Sequence, residues 1–412
     1  KRQGWEGRHP ALEYQPGGRF DVPPRWTRIE RRITVRERLE PVRLYIYSVG
    51  TGTLLVDAVS LVREGAPPPG REAGPRRPPK GPSKVEIRGE RVFVNGKPFF
   101  AVGFYRGQPE ALRGTGFNLV VTGEAPDLDF LDRCWRSGVM ATLNLTGLAR
   151  GHLPWRMPDA VRPYKSHPAV LAWYVCDEPD HARWTVPPPE VRLATKALHE
   201  ADPNHITWSV VMPWADSNIY QYADTVDIIA TDIYPIADYK RNVVRVARAT
   251  DVLRRAVGHR RPVWVVTEAT SRATPGEEYA MTYLAVTHGA AGIVYWNFED
   301  ARRRPEIWRT MVRISLELKQ LAPVLVAPES KRAVKADNEN IHLAAREHGG
   351  KFYIIAVNAS PKPQRGVTFL LPWLAGRRRA EVMFEGRAVE VRGGRLTDDF
   401  DGYERHVYEV PL

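Results

Sequence analysis

The chain has 412 residues, of which 43% are hydrophobic, 10% aromatic and 26% charged. This composition excludes a disordered or low-complexity protein and supplies the apolar mass for a sizeable core. The formal net charge is +12 and rests mostly on arginine, with roughly four Arg for each Lys. The arginines are scattered, no basic helix or DNA-reading motif accompanies them, and no apolar run is long enough for a membrane span, so the charge reads as the solvated surface of an Arg-rich, heat-adapted protein and neither a nucleic-acid nor a membrane partner is expected.

Residues 1–64 read as β, because "WTRIERRITV" and "VRLYIYSVGTGTLLVDAVSLV" alternate or run apolar between glycine turns. So short a stretch makes a poor sandwich alone, and the front of this domain is expected to lie outside the chain. "GTLLVDAVSLV" resembles the last strand of jelly-roll carbohydrate-binding modules, which implies a partial module of that kind; a plain β packing domain is the alternative. Residues 65–83, "GAPPPGREAGPRRPPKGPS", form a stiff, solvated Pro/Gly/Arg linker and mark a domain boundary.

From 84 to 330 the pattern changes. "KVEIRGERVFVNGKPFF" predicts a hairpin turning at Asn95-Gly96. Eight short strands come after it: "FFAVGFY" (99–105), "FNLVVT" (117–122), "VMATLNL" (139–145), "VLAWYVC" (170–176), "ITWSVV" (206–211), "DIIATDIY" (227–234), "PVWVVTE" (262–268) and "AGIVYWNF" (291–298). They are rich in β-branched and aromatic residues, as strands buried on both faces require. The segments between them have a helical period: Phe130, Leu131, Cys134 and Trp135 share one face, and Ile307, Met311, Ile314 and Leu318 another. Eight β/α units in this length predict an α/β fold of the (β/α)8 barrel type. A doubly wound sheet is the runner-up, but no glycine-rich phosphate fingerprint follows the first strand. Residues 331–412 return to short strands with Gly and Asn turns ("NIHLAARE", "KFYIIAVNAS", "GVTFLLP", "RAEVMFEG", "HVYEVPL") and predict a C-terminal antiparallel β-sandwich. Cys134 and Cys176 are expected as buried free thiols; they and the histidines lack any metal spacing, so no metal or other cofactor is expected.

In such a barrel the chemistry gathers at the C-terminal ends of the strands. Those ends offer Tyr105, Thr122, Asn144, Asp177 with Glu178, the segment 212–214 with Trp214, Asp232 with Tyr234, Glu268, and Trp296 with Asn297. Glu178 ends strand four and Glu268 strand seven, roughly ninety residues or about three β/α units apart, so both can face one central pocket. Two carboxyls across a sugar-sized gap are what glycosidic bond cleavage needs. His181, just past the strand-four acids, is a further lining candidate.

The motifs "WYVCDEP" and "VWVVTEA", with "VNGKPFFAVGFY", "TDIYP" and "VYWNF" in order and phase, resemble glycoside hydrolase clan A over about 84–328. The resemblance implies Glu178 as acid/base and Glu268 as nucleophile of a retaining β-glycosidase, acting on a poly- or oligosaccharide. It also implies that Tyr234 hydrogen-bonds the nucleophile and that Trp296 floors the sugar subsite. Asp177 stands where the clan usually has an asparagine beside the acid/base; its charge should raise the Glu178 pKa. Asn144, Asp177, Asp232, Tyr234, Trp296, Trp214 and His181 are thus the expected substrate contacts. The alternatives are an inactive carbohydrate-binding barrel, or an inverting hydrolase or transglycosidase on the same scaffold. Action on polysaccharide implies an extracellular or cell-surface setting. The sugar, the linkage and the oligomeric state are not written in these motifs.

Overall fold

The computed structural model describes residues 81–412 apart from 125 and 214. The expected N-terminal β domain (1–64), most of the expected linker (65–83) and the candidate Trp214 lie outside the described residues.

Strands β1 (Val85–Arg88), β2 (Arg91–Val94) and β3 (Lys97–Phe99) form an antiparallel sheet. Its second turn falls at Asn95-Gly96, where φ is 50° and 74°, the left-handed conformation that Asn and Gly tolerate best. Val85 and Val92 from this sheet join the side chains that fill the barrel interior, and Val85 N donates to Asn204 O at 2.8 Å. The sheet therefore plugs the end of the barrel opposite the strand C-termini.

Eight parallel strands form the barrel: β4 (Ala101–Tyr105), β5 (Leu119–Glu124), β6 (Met140–Asn144), β7 (Val170–Asp177), β8 (Ile206–Val211), β9 (Ile228–Ile233), β10 (Val263–Glu268) and β11 (Gly292–Trp296). They close in sequence order, with β11 pairing back on β4. All eight predicted strands are present, with ends shifted by a few residues at most. The interior is aromatic: Trp208 stacks on Tyr174 at 4.0 Å and meets Trp264 at 5.1 Å. Outside, the helix Leu128–Ser137 starts at Asp127, whose Oδ1 accepts from Phe130 N at 2.7 Å, and ends at Gly138 with φ 73°. Ile307, Met311, Ile314 and Leu318 are fully buried on the helix Pro305–Leu325, as their spacing predicts. Cys134 and Cys176 are buried free thiols.

The C-terminal part holds eight strands: β12 (Lys335–Ala336), β13 (Ile341–His348), β14 (Lys351–Asn358), β15 (Gln364–Leu370), β16 (Arg377–Val382), β17 (Arg387–Arg392), β18 (Arg395–Phe400) and β19 (Arg405–Pro411). They hydrogen-bond in the order β12-β15-β18-β17-β16-β19-β14-β13. The ladder narrows to two residue pairs between β17 and β18 and between β16 and β19. There the sheet folds over on itself: Phe369 of β15 and Tyr408 of β19, four places apart in that order, bring their rings to 5.4 Å. A buried ion pair fixes this domain to the barrel. Arg405 reaches Glu317 at 2.5 and 3.0 Å, and Tyr279 and Tyr283 also donate to Glu317 at 3.0 and 2.8 Å.

Candidate active site

Strand β7 delivers its acids through a backbone irregularity. Tyr174 pairs with Trp208 and Cys176 with Ser209, so Val175 is an extra residue opposite β8, a bulge that re-aims the end of the strand. Glu178 then takes φ 45°, a left-handed conformation that costs a non-glycine residue about 1–2 kcal/mol. Hydrogen bonds on both sides hold it there: Glu178 N donates to Val210 O at 2.9 Å, and His181 N donates to Glu178 O at 3.0 Å. Strain kept at a strand end by surrounding structure is characteristic of functional positions.

Asp177 is tied down. Tyr174 donates its hydroxyl proton to Asp177 Oδ1, Asp177 N donates to Thr146 Oγ1 at 2.9 Å, and Arg150 Nη2 donates to the Asp177 carbonyl at 2.7 Å and lies 3.6 Å from its carboxylate. Tyr105 donates in turn to the Tyr174 hydroxyl at 2.9 Å. Arg150 also lies over the Trp184 ring at 4.1 Å, and Trp184 stacks on His181 at 3.9 Å.

Glu178 faces Asp232 at the end of β9, and the two carboxyls share a hydrogen bond. Asp232 is 7% exposed, and its Oδ1 has no partner among the described residues. Burial, then the nearby charges of Glu178 and Asp177, push its pKa well above the usual carboxylate range. Of the two carboxyls, Asp232 is the one whose surroundings favour the neutral form. Burial and then the Asp177 charge also raise the Glu178 pKa, while the Asp232 hydrogen bond, His181 and Arg150 pull it down. An acid held between such opposing pulls is suited to exchanging a proton near neutral pH.

Glu268 at the end of β10 sits in a different setting. It is 4% exposed, and its Oε1 accepts from the backbone N–H groups of Ile236 and, at 3.2 Å, Ala237. Burial raises its pKa and these two donors counter the rise. Its Oε2 has no hydrogen-bond partner among the described residues.

Tyr234 does not make the expected hydrogen bond to Glu268. Burial, and then the nearby Asp232, Tyr105, Asp177 and Glu178, push its pKa well up. The backbone turn just after it, Pro235–Asp238, supplies the donors to Glu268 instead. Asn144 is used locally: its Oδ1 accepts from Thr146 N at 2.8 Å, which fixes the turn that carries Thr146 toward Asp177. Trp296 is 38% exposed at the end of β11, its ring edge-on to Tyr105 at 5.4 Å. The structure thus gathers Asp177, Glu178, Asp232, Tyr234 and His181 into one cluster and adds Tyr174 and Arg150, which the sequence pattern did not single out. Tyr174 is hidden by the apolar run around it. Arg150 comes from the helix after a different strand, and nothing in its local pattern marks it.

The β-galactosidase model of glycoside hydrolase family 42 matches residues 190–319, a stretch that includes Asp232, Glu268 and Trp296 and begins after Glu178. No curated protein sequence matches the chain. Among solved structures, a catalytic mutant of a family-42 β-galactosidase from G. stearothermophilus is similar at a TM-score of 0.54 and 9% identity, covering 76% of this chain and 98% of that one. A maltogenic α-amylase from Thermotoga neapolitana has a TM-score of 0.54 and 12% identity, covering 76% and 99%. An α-amylase from Anoxybacillus has a TM-score of 0.52 and 12% identity, covering 72% and 87%. At these identities the likeness establishes the barrel fold. The fold and the family-model match agree with the resemblance to glycoside hydrolase barrels and with an enzyme of that class.

Proposed function

We propose that the chain is a retaining glycoside hydrolase that cleaves β-glycosidic bonds in a poly- or oligosaccharide by double displacement, with Glu178 as acid/base and Glu268 as nucleophile. The observation that carries this reading is the unlike setting of two glutamates at the ends of β7 and β10. Glu178 lies among acids and faces a neutral carboxyl, whereas Glu268 is anchored through one oxygen by two backbone N–H groups.

In the first step Glu268 attacks the anomeric carbon through Oε2, the glycosidic C–O bond breaks, and the Glu178 proton goes to the departing oxygen. Ile236 and Ala237 keep Oε1 fixed, so the attacking oxygen is positioned before substrate arrives. The Glu178 carboxylate left behind accepts the Asp232 proton as a hydrogen bond, which stabilises it through the lifetime of the glycosyl-enzyme. In the second step Glu178 takes a proton from water, the resulting oxygen nucleophile displaces Glu268, and the sugar leaves with its configuration retained. Trp296 supplies an exposed aromatic face for the apolar side of a sugar ring.

Product-anomer NMR together with two variants tests this. Glu268→Gln should abolish release from every aryl glycoside that the wild type cleaves. Glu178→Gln should lose about 10²–10⁴-fold with poor leaving groups and far less with good ones, which leave without a proton. An inverted product, or unchanged turnover by Glu268→Gln, would overturn the assignment.

A further inference from the structure

We infer that the outer face of the C-terminal sheet is a binding site for a linear anionic polysaccharide, held by four cations in a row that crosses five adjacent strands. Lys335 of β12 lies opposite Leu370 of β15, Leu370 opposite Arg395 of β18, Arg395 opposite Arg392 of β17, and Arg392 opposite Arg377 of β16. All five side chains are exposed. Phe369, Leu396 and Val391, next to three of these residues, and Ala380, three places along from Arg377 and so on the opposite face, are fully buried in the core of the domain, and the row points outward. Adjacent strands lie about 4.8 Å apart, which makes the row about 19 Å long.

Like charges set directly opposite one another destabilise a sheet, so the buried inward residues account for the register but not for cations on its outer side. Neutralisation is incomplete. Glu390 pairs with both Arg377 and Arg392, and Glu381 holds the flanking Arg379 at 3.0 Å. Arg395 and Lys335 have no carboxylate within salt-bridge distance among the described residues. The row therefore keeps a net positive charge on a face where cations recur at strand spacing.

The surroundings favour a glycan over a nucleic acid. The only aromatic residues on these five strands, Phe369 and Phe400, are fully buried, so the strands themselves offer no ring for base stacking. Beside the row stands the exposed Thr397, its hydroxyl held at 3.1 Å by that of the buried Thr368, and Leu370 is 37% exposed within it. Hydroxyls and a small apolar patch suit the alternating polar and C–H surface of a sugar chain, while the cations suit one carboxylate on each or every second sugar. The choice of a glycan rests in part on the glycosidase reading of the barrel, but the binding itself needs no catalysis.

Affinity electrophoresis of the full chain, in gels containing sodium alginate, sodium polygalacturonate, a neutral galactan or DNA, tests the proposal. Retardation is expected in a polyuronate gel, relieved by salt, and absent with galactan. The triple variant Arg377→Thr, Arg392→Thr, Arg395→Thr should bind the polyuronate at least about tenfold more weakly. The corresponding triple lysine variant should stay close to wild type, and both should melt near the wild-type temperature. Cleavage of a soluble neutral aryl glycoside should be the same in all three proteins, so a failure of the barrel chemistry is read separately. No retardation by either polyuronate, an unchanged threonine variant, or DNA bound as tightly as polyuronate would each overturn it.

Discussion

Replacing Asp232 by valine removes the donor that faces Glu178 while keeping a strand-forming side chain of similar size on β9. A hydrogen bond to a charged group is worth about 1.5–3 kcal/mol, and 1.36 kcal/mol corresponds to one pH unit of titration. Glu178 is half-buried, and solvent screening puts the effect at the lower end of that range. Losing the donor makes the proton on Glu178 harder to remove. A general acid must be protonated in the free enzyme, so activity falls as pH rises through its titration. The alkaline limb of kcat/KM for the valine variant should therefore move up by about one pH unit relative to wild type. Asp232→Asn keeps a donor at the same place, and its limb should move by less than about half a unit. The assay is the pH dependence of kcat/KM on an aryl glycoside with a poor leaving group, for which protonation limits the rate. An asparagine variant whose alkaline limb fell by a unit or more would show that Asp232 is the anion of the pair and would refute the proton assignment. A valine variant with an unmoved limb would show that the two carboxyls do not interact.

Three further outcomes are expected. Arg150→Met keeps a stem over Trp184 but removes the cation that pulls the Glu178 pKa down, so its alkaline limb should also rise in the same assay. Glu278 is fully buried on the helix Pro275–Thr287, and burial pushes its pKa well up. A carboxyl raised in the folded state contributes stability at low pH that is lost as pH rises, so the urea midpoint of Glu278→Gln should gain on wild type as pH rises above about 4.5. His406 is buried, which lowers its pKa, but hydrogen bonds to Glu385 and Glu404 prevail and hold it up to about 9. The rise from an ordinary value of about 6.5 corresponds to roughly 3 kcal/mol, fully present below about pH 6.5 and lost by about pH 9. His406→Gln should therefore be less stable than wild type by that order at pH 6, with the gap closing across this window in pH-dependent urea unfolding.

The eight barrel strands were legible because a strand buried on both faces must be an apolar run, and a run ends where its first polar residues appear. The same rule pointed to Asp177, Glu178, Asp232 and Glu268 as residues at strand ends. It failed in the C-terminal domain for β12, β17 and β18. "RAVEVR" and "RLTDDF" are short and heavily charged, and their inward residues are only Val391, Leu396 and Phe400 among a few others, too few to stand out. The partners of Glu268 were illegible in principle. They are the N–H groups of Ile236 and Ala237, which any residue but proline would supply, so the clan resemblance directed attention to Tyr234 instead. Tyr174 meets Asp177 along one strand because the bulge at Val175 turns both to the same side, and Arg150 arrives from the helix after the neighbouring strand β6; neither contact has a signature in the apolar pattern.

The cluster at the end of β7 burdens the fold. Asp232 is buried with one oxygen lacking a partner among the described residues, Asp177 and Glu178 are adjacent acids, and Glu178 holds a left-handed backbone. A side chain kept for stability would be destabilising to remove. One kept for chemistry against stability should be stabilising to remove. Asp232→Val takes a poorly solvated carboxyl out of the interior, so its melting temperature should rise, most clearly at alkaline pH where the buried acid is forced to ionise beside Asp177 and Glu178. Thermal unfolding at matched pH, beside the activity profile of the same variant, separates the two accounts. A higher melting point with altered catalysis fits a site maintained for chemistry, whereas a lower melting point with an unmoved profile would make Asp232 a structural residue of the barrel.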